Sequence, residues 1–359
     1  MNGVHRPERR QRGIAIVTAM LVVALGTITM VSIASRQQLV LQRERNEAAI
    51  GLARDLAISG ERFAAALLYR DRQDGLRENT DSLDDDWAQT IPPVPIDEGA
   101  ALQGCIVDMQ GRFNLNNLVD AEGNAVVAAV EQLQRLLFEL GIDTVKAQAL
   151  LDWVDADVNA TVPDGAEDDY YSGLDPAYRA ANGPMISASE LKLVKGFSPL
   201  VEEEAEDYEL LLPHVATLPT VNGATAVNVN TATPEVIASI APDLKGLEGD
   251  LTRWETGAYE DYPECEDIFD LATDDAPDAL VADQERLPYE STLVFAEEAD
   301  PGGGNGLDLG PDSGYDVRSD YFQLRIDVLT EALRLSQYTL FERDEQGRTR
   351  VLYRSRDTI

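Results

Sequence analysis

Histidine and cysteine are nearly missing from this chain. Among 359 residues there are two histidines, His5 and His214, and two cysteines, Cys105 and Cys265. So few imidazoles and thiols leave little for a zinc site or for a His-based catalytic triad. Two cysteines allow one disulfide in an oxidising compartment. They stand 160 residues apart, which does not show that they meet, and two buried free thiols fit as well. Positive charge is the next scarcity. The 29 Lys and Arg are outnumbered by 65 Asp and Glu, for a net charge of −36. Such a surface repels nucleic acid and favours solubility or divalent cations. Apolar residues, at 44%, are too many for wholesale disorder, and the length has room for two domains.

What the chain does have is one long uncharged run. Ile14 to Ser35 is 22 residues without a charge. As a helix it would span about 33 Å, enough for a hydrocarbon core of roughly 30 Å. Arg6, Arg9, Arg10 and Arg12 precede it, opposed only by Glu8. That bias keeps the N-terminus in the cytoplasm and sends everything after Ser35 outward, as a single-pass membrane protein. A secretory signal peptide fits less well, because the run is long and no A-x-A site closes it.

Residues 36–72 contain no proline. Ala49, Leu52, Ala53, Leu56, Gly60, Phe63, Ala64 and Leu67 recur at amphipathic-helix spacing. With the uncharged run they predict one helix of more than 50 residues. Residues 73–100 read as an acidic, Pro-rich loop. LQGCIVDMQGRFNLNNL then reads as a hairpin turning at Met109–Arg112. Residues 116–290 read as mainly helical, with segments at Val126–Leu140, Thr144–Asp155, 187–197 and 227–242. After 290 strands return, at TLVFAEE (292–298), 321–331, 332–343 and 349–356. The Gly-rich stretch at 300–316 lacks the GK[ST] of a phosphate-binding loop. The fold class is therefore α+β: a long N-terminal helix with an antiparallel sheet, and a large mainly α-helical domain inserted in that sheet.

The densest chemistry is DWVDADVNATVPDGAEDDYY, residues 152–171. It gathers Asp152, Asp155, Asp157, Asn159, Asp164, Glu167, Asp168 and Asp169 within 18 residues. Many oxygens with no His or Cys point to a hard cation, Ca²⁺ before Mg²⁺. Asp155-x-Asp157-x-Asn159 opens like an EF-hand loop. Ala160 then stands where that loop needs Gly, and Ala166 where it needs its bidentate acid. Asp155, Asp157, Glu167 and Asp168 are the first choices as ligands. Closing the two ends of the loop over an ion would neutralise charges that otherwise repel. No nucleophile–base pair is legible beside these acids, so the chain does not read as an enzyme and no catalytic residue is assigned.

Arg12-Gly13-Ile14, a short basic leader and a Gly before an unbroken apolar helix, resembles the leader of type IV prepilins and type II secretion pseudopilins. The resemblance implies a cut by the prepilin peptidase between Gly13 and Ile14, then N-methylation of Ile14. Thr18 occupies the fifth mature position, where most pilins carry Glu. An uncharged residue there, the stretch DWVDAD…GAEDDYY, and the run LDPAYRAANGPMISASELKLVKGF together resemble the type II secretion protein K family. That family's inserted helical domain binds calcium. The resemblance implies a non-enzymatic minor pseudopilin at the tip of the pseudopilus, helping to initiate and cap it for protein export across the outer membrane. Its implied partners are the minor pseudopilins I and J, the other pseudopilins, the prepilin peptidase and the inner membrane.

On this reading residues 1–13 are the leader and 14–35 the transmembrane half of the helix. Residues 36–115 form the periplasmic helix and first strands, 116–290 the inserted domain, and 291–359 the last strands. NVNTATPEVIASI (228–240) also resembles a helix-hairpin-helix motif. That leaves a membrane-anchored nucleic-acid-binding protein of a DNA-uptake system as the alternative. The acidic surroundings oppose phosphate binding, so no nucleic acid is expected.

Overall fold

A computed structural model describes residues 12–73, 79–89, 91–96, 99–220, 223–253, 287–300, 314–330 and 333–356. Cys265 and most of the Gly-rich stretch lie outside them. The chain begins as one helix, α1 (Arg12–Arg72), of 61 residues, about 92 Å long at ~1.5 Å per residue. Its first half stands bare, with Ile16, Met20, Val23, Ile28 and Val31 exposed. Among the described residues it is the one helix long and apolar enough to cross a membrane. Thr18, Thr27 and Thr29 donate their hydroxyls to carbonyls three or four residues back. Their polar atoms are thus satisfied within the helix, as a hydrocarbon environment demands.

The second half of α1 has a face of small residues. Ala53, Ala57 and Ala64 are fully buried, and a Cβ on Gly60 would lie 2.8 Å from Ile326 Cδ1 and 3.4 Å from Leu102 Cδ2. The helix therefore lies close against a five-stranded sheet. Its strands are β1 (Ile91–Ile96), β2 (Ala100–Asp108), β7 (Tyr321–Leu329), β8 (Arg334–Arg343) and β9 (Thr349–Ser355), side by side in that order and antiparallel throughout. Phe322, Leu324, Ile326 and Val328 pack with Leu68, Ile106 and Trp87 into the core beneath α1. Glu61 adds a polar tie, taking both Nε and Nη2 of Arg354 at 2.7 and 2.8 Å.

Neighbouring strands β2 and β7 are separated by about 200 residues of sequence. Into that gap fall β3 (Phe113–Asn114), α2 (Val127–Glu139), α3 (Ala147–Val154), α4 (Asp168–Tyr171), α5 (Glu202–Leu211), β4 (Val215–Ala216), β5 (Val227–Asn228), α6 (Pro234–Ile240), α7 (Glu248–Leu251), α8 (Thr292–Ala299) and β6 (Tyr315–Asp316). They share a second core around Leu133, Leu137, Leu150, Phe197, Ile237 and Phe295. The motif at 228–240 serves this packing. Thr233 caps α6, whose Val236, Ile237 and Ala238 are buried. Arg135 of α2 donates to the carbonyls of Ser239 and Ile240 at the helix end.

Three expectations are corrected. Residues 91–96 form an edge strand rather than loop, because prolines that cannot donate are tolerated where one side has no neighbour. The expected hairpin at 102–115 does not close. Asp108 Oδ1 accepts from Gln110 N and turns the chain, and Phe113–Asn114 then pair in parallel with Val215–Ala216. Residues 292–298 are helical, not extended. Ser291 caps α8 by accepting from Val294 N, and Phe295, Ala296 and Ala299 fall on one buried face. The sheet resumes only at Tyr321. The helical segment expected at 187–197 is a 3₁₀ helix over Ala188–Leu193, opened by a Ser187–Glu190 capping box. Cys105 is disulfide-bonded; the sequence offers Cys265 as the one other cysteine.

A buried polar junction holds the inserted elements to the sheet. Asp108, at the end of β2, accepts from Ser319 Oγ and Thr231 Oγ1 at 2.6 Å and from Asn228 Nδ2 at 2.9 Å. Burial pushes its carboxyl up to about 6, against the pull of those hydrogen bonds. Beside it Asp71, Asp81 and Asp85 come within 4.8 Å of one another. Arg343 answers them, 3.0 Å from Asp71 and in contact with Asp81, and Arg72 also pairs with Asp81. This group of acids is therefore an ion-pair network rather than a metal site. Burial and the neighbouring Asp85 and Asp81 push Asp71 up to about 7.

Candidate metal centre

The acidic stretch starts in the last turn of α3. Ala149, Leu150, Trp153 and Val154 are buried, which fixes the helix and leaves Asp152 and Asp155 at its end. Trp153 packs edge-on against Tyr171 of α4 at 5.2 Å, and Tyr171 stacks on Tyr178 at 5.3 Å. This aromatic base ties the two ends of the loop together. Asp152 is wholly buried and accepts from Thr161 N with both oxygens, at 3.1 and 3.0 Å. A Cβ on Gly165 would lie 2.1 Å from Asp152 Oδ2 and 2.5 Å from the Thr161 backbone, so only glycine fits this crossing.

The loop brings Asp155, Asp157 and Glu167 together, with carboxylate oxygens within 4.8 Å of one another. Asp155 and Glu167 are buried and Asp157 is exposed. Asp157 accepts from Asn159 N and Nδ2, at 2.7 and 2.8 Å, which lowers its carboxyl. Burial, followed by the charges of Asp157 and Asp152, pushes Asp155 up to about 6. Burial, with Asp155 and Asp152 nearby, pushes Glu167 up to about 7. Both groups are costly to ionise without a cation.

Asp168, the fourth candidate, is not part of this group. It lies 3.7 Å from Arg179 and accepts from Ala180 N, fastening the start of α4 to the following segment. Asp164 likewise turns to Lys195, at 2.8 Å. A residue missed in the sequence takes a place beside the cluster. Asn182 holds φ at 43°, and its Nδ2 donates to Asp157 O at 2.6 Å and reaches Glu167 Oε2 at 3.4 Å. The signal was the Asn-Gly pair at 182–183, since Asn tolerates the left-handed conformation.

Three buried oxygens here, Asp155 Oδ1, Glu167 Oε1 and Asn182 Oδ1, have no hydrogen-bond partner. Orphaned buried acceptors are rare and costly. All three can only accept, and none of the group is nitrogen or sulfur. The donor set fits a hard, oxygen-seeking cation such as Ca²⁺. Gly13 and Ile14, the expected processing site, lie in the first turn of α1.

Comparison with known proteins follows the same lines. The family model for Type II secretion system (T2SS), protein K matches residues 111–220. Type II secretion system protein K of Pseudomonas aeruginosa is 40% identical over 240 residues, 65% of this chain and 69% of that protein. The Klebsiella pneumoniae protein is 34% identical over 241 residues, covering 65% and 70%. The Aeromonas hydrophila protein is 32% identical over 255 residues, covering 67% and 74%. Among solved structures, the fold is similar to a chain of the GspK-GspI-GspJ complex from enterotoxigenic Escherichia coli. The TM-score is 0.63 at 21% identity, over 87% of this chain and 98% of that one.

Proposed function

This chain belongs to the type II secretion system protein K family, and from that premise we propose that it is the minor pseudopilin at the tip of the periplasmic pseudopilus. It assembles there with the minor pseudopilins I and J, helping to start and cap the filament for export across the outer membrane. The observation that carries this reading is α1. Its bare apolar half needs a membrane or other helices around it. Thr18 keeps its hydroxyl within the helix and offers no charge to a subunit above. The inserted elements between β2 and β7 add bulk that would obstruct a further subunit, while α1 packs on subunits below. The arginines before the apolar run favour a cytoplasmic N-terminus and a periplasmic head. The prepilin peptidase would cut between Gly13 and Ile14, and Ile14 would then be N-methylated.

Asp155, Asp157 and Glu167 would hold a structural calcium ion, with Asn182 as a further oxygen. The ion would supply the positive charge this buried cluster lacks. The residues themselves close the loop between α3 and α4 and set the surface of the inserted elements. Asp168 acts beside the site by fixing the start of α4. The role is structural rather than enzymatic, and nucleic acid is not a ligand.

The test is co-expression of the full chain with minor pseudopilins I and J of its own system, purified in calcium and in chelator. A three-part complex that weakens in chelator is expected. No complex in either condition overturns the tip assignment.

A further inference from the structure

Among the described residues, Asn182 is the one residue other than glycine with a left-handed backbone, at φ 43°. Gly183 follows it, and both are half-buried. The Gly183 N–H has no hydrogen-bond partner among the described residues, and Pro184 beside it has no N–H to give. A Cβ on Gly183 would meet only Ala181 O, at 3.7 Å. The space around this nitrogen is therefore open. Asn2, Asn222 and Asn305 also precede a glycine, and lie outside the described residues.

The side chain of Asn182, by contrast, is held. Its Nδ2 donates to Asp157 O at 2.6 Å and reaches Glu167 Oε2 at 3.4 Å, while Oδ1 is buried with no partner. Rotation about the bond from Cα to the main-chain carbonyl brings a free nitrogen onto a fixed side-chain carbon, where it can close a succinimide ring. Intramolecular attack of this kind needs no encounter between reactants, and glycine adds no side chain to obstruct it. The nitrogen that must leave gains positive charge as it takes up a proton. The two acceptors already on it favour that charge.

We propose that Asn182–Gly183 is a self-modification site, which turns the Asn182 amide into a carboxylate beside Asp157 and Glu167. Gly183 N bonds to Asn182 Cγ, the Cγ–Nδ2 bond breaks, and the Gly183 proton leaves with Nδ2 as ammonia. Water, the one co-reactant, then opens the ring at Cγ, giving Asp, or at the main-chain carbonyl, giving isoaspartate. Either product adds an acid to the cluster of Asp155, Asp157 and Glu167, and sites built of oxygens tune their cation affinity by charge count. That consequence rests on the calcium reading above; the chemistry of the step does not.

The test is peptide mapping by mass spectrometry of the full chain, folded in detergent micelles with EGTA at pH 8. The tryptic peptide of residues 180–192 carries no other side-chain amide, and the same peptide made free serves as reference. In the folded chain it should gain the mass of an amide turned acid, as two acid isomers, over days. Gly183→Ala, which the open space admits, should slow the gain several-fold with an unchanged melt. A chain peptide still unconverted when the free one has fully turned over overturns the site, as does Gly183→Ala converting at the parent rate. Calorimetric titration with calcium reads the consequence. Asn182→Asp should bind about tenfold tighter than the parent, and equal affinity overturns the tuning. A chain that converts but binds no calcium in either form keeps the site and overturns the calcium reading instead.

Discussion

Replacing Glu167 by Gln should change stability in opposite directions with and without calcium. Glu167 is buried within 4.8 Å of Asp155 and Asp157. Two full charges at that distance repel by roughly 3 kcal/mol at an effective dielectric of ~20, and relaxation of the loop would leave about half of it. In chelator at pH 8, above the value of about 7 to which Glu167 is pushed, the variant should therefore be more stable by about 1–2 kcal/mol. For a chain of this size that is a rise in Tm of about 1–3 °C. At pH 5 Glu167 is protonated in the ion-free protein, and the gain should vanish. The sign follows from linkage. With folded values of about 6 for Asp155 and about 7 for Glu167, ion-free stability is fullest below the unfolded carboxylate range. It is lost as pH rises through those two values. Calcium reverses this, because it binds the ionised forms. Calcium at 100 times its Kd should stabilise the parent chain by about 2.7 kcal/mol, and Glu167→Gln should lose most of that. The assay is thermal unfolding of the full chain in detergent micelles at pH 5 and pH 8, in calcium and in EGTA. A variant equally destabilised in all four conditions would refute the reasoning, as would a parent chain that calcium does not shift.

Arg343→Met takes from Asp71 its partner in the buried junction and leaves Asp81 only Arg72, and should cost about 3–5 kcal/mol at pH 8. The cost should be smaller at pH 5, where Asp71, pushed up to about 7, is protonated; urea titration at both values reads this. Gly165→Ala forces the Asp152 crossing apart and should abolish the calcium-dependent rise in Tm while the α1–sheet unit keeps its circular dichroism. Gly60→Leu drives side-chain atoms into Ile326 and Leu102 and should cost about 1–3 kcal/mol, measured by thermal unfolding.

Local pattern made much of this molecule legible. The charge-free run, the small-residue spacing from Ala49 to Leu67 and the alternation after Tyr321 foretold α1 and the strands β7, β8 and β9. What escaped depended on partners far away in sequence. The prolines of β1 argue for loop until Ala100–Gly104 lies alongside. Asp108 looked like part of a hairpin because nothing local says that Thr231 and Ser319 will meet it. Residues 292–298 are rich in β-formers, yet the Ser291 cap and the packing of Phe295 against Tyr289 and Tyr315 decide for helix. In the acidic loop composition suggested the ion class, and closing the loop suggested Glu167. The competition between Arg179 and the cluster for Asp168, and the arrival of Asn182, are matters of three-dimensional placement. The order in which α3, the loop and α4 occur does not reveal them.

The central claim is the tip position, and immunogold labelling of overproduced pseudopili tests it most directly. With an epitope placed in the inserted elements, label should appear at one end of each filament and be absent along its length. Label spaced regularly along the shaft would contradict the account.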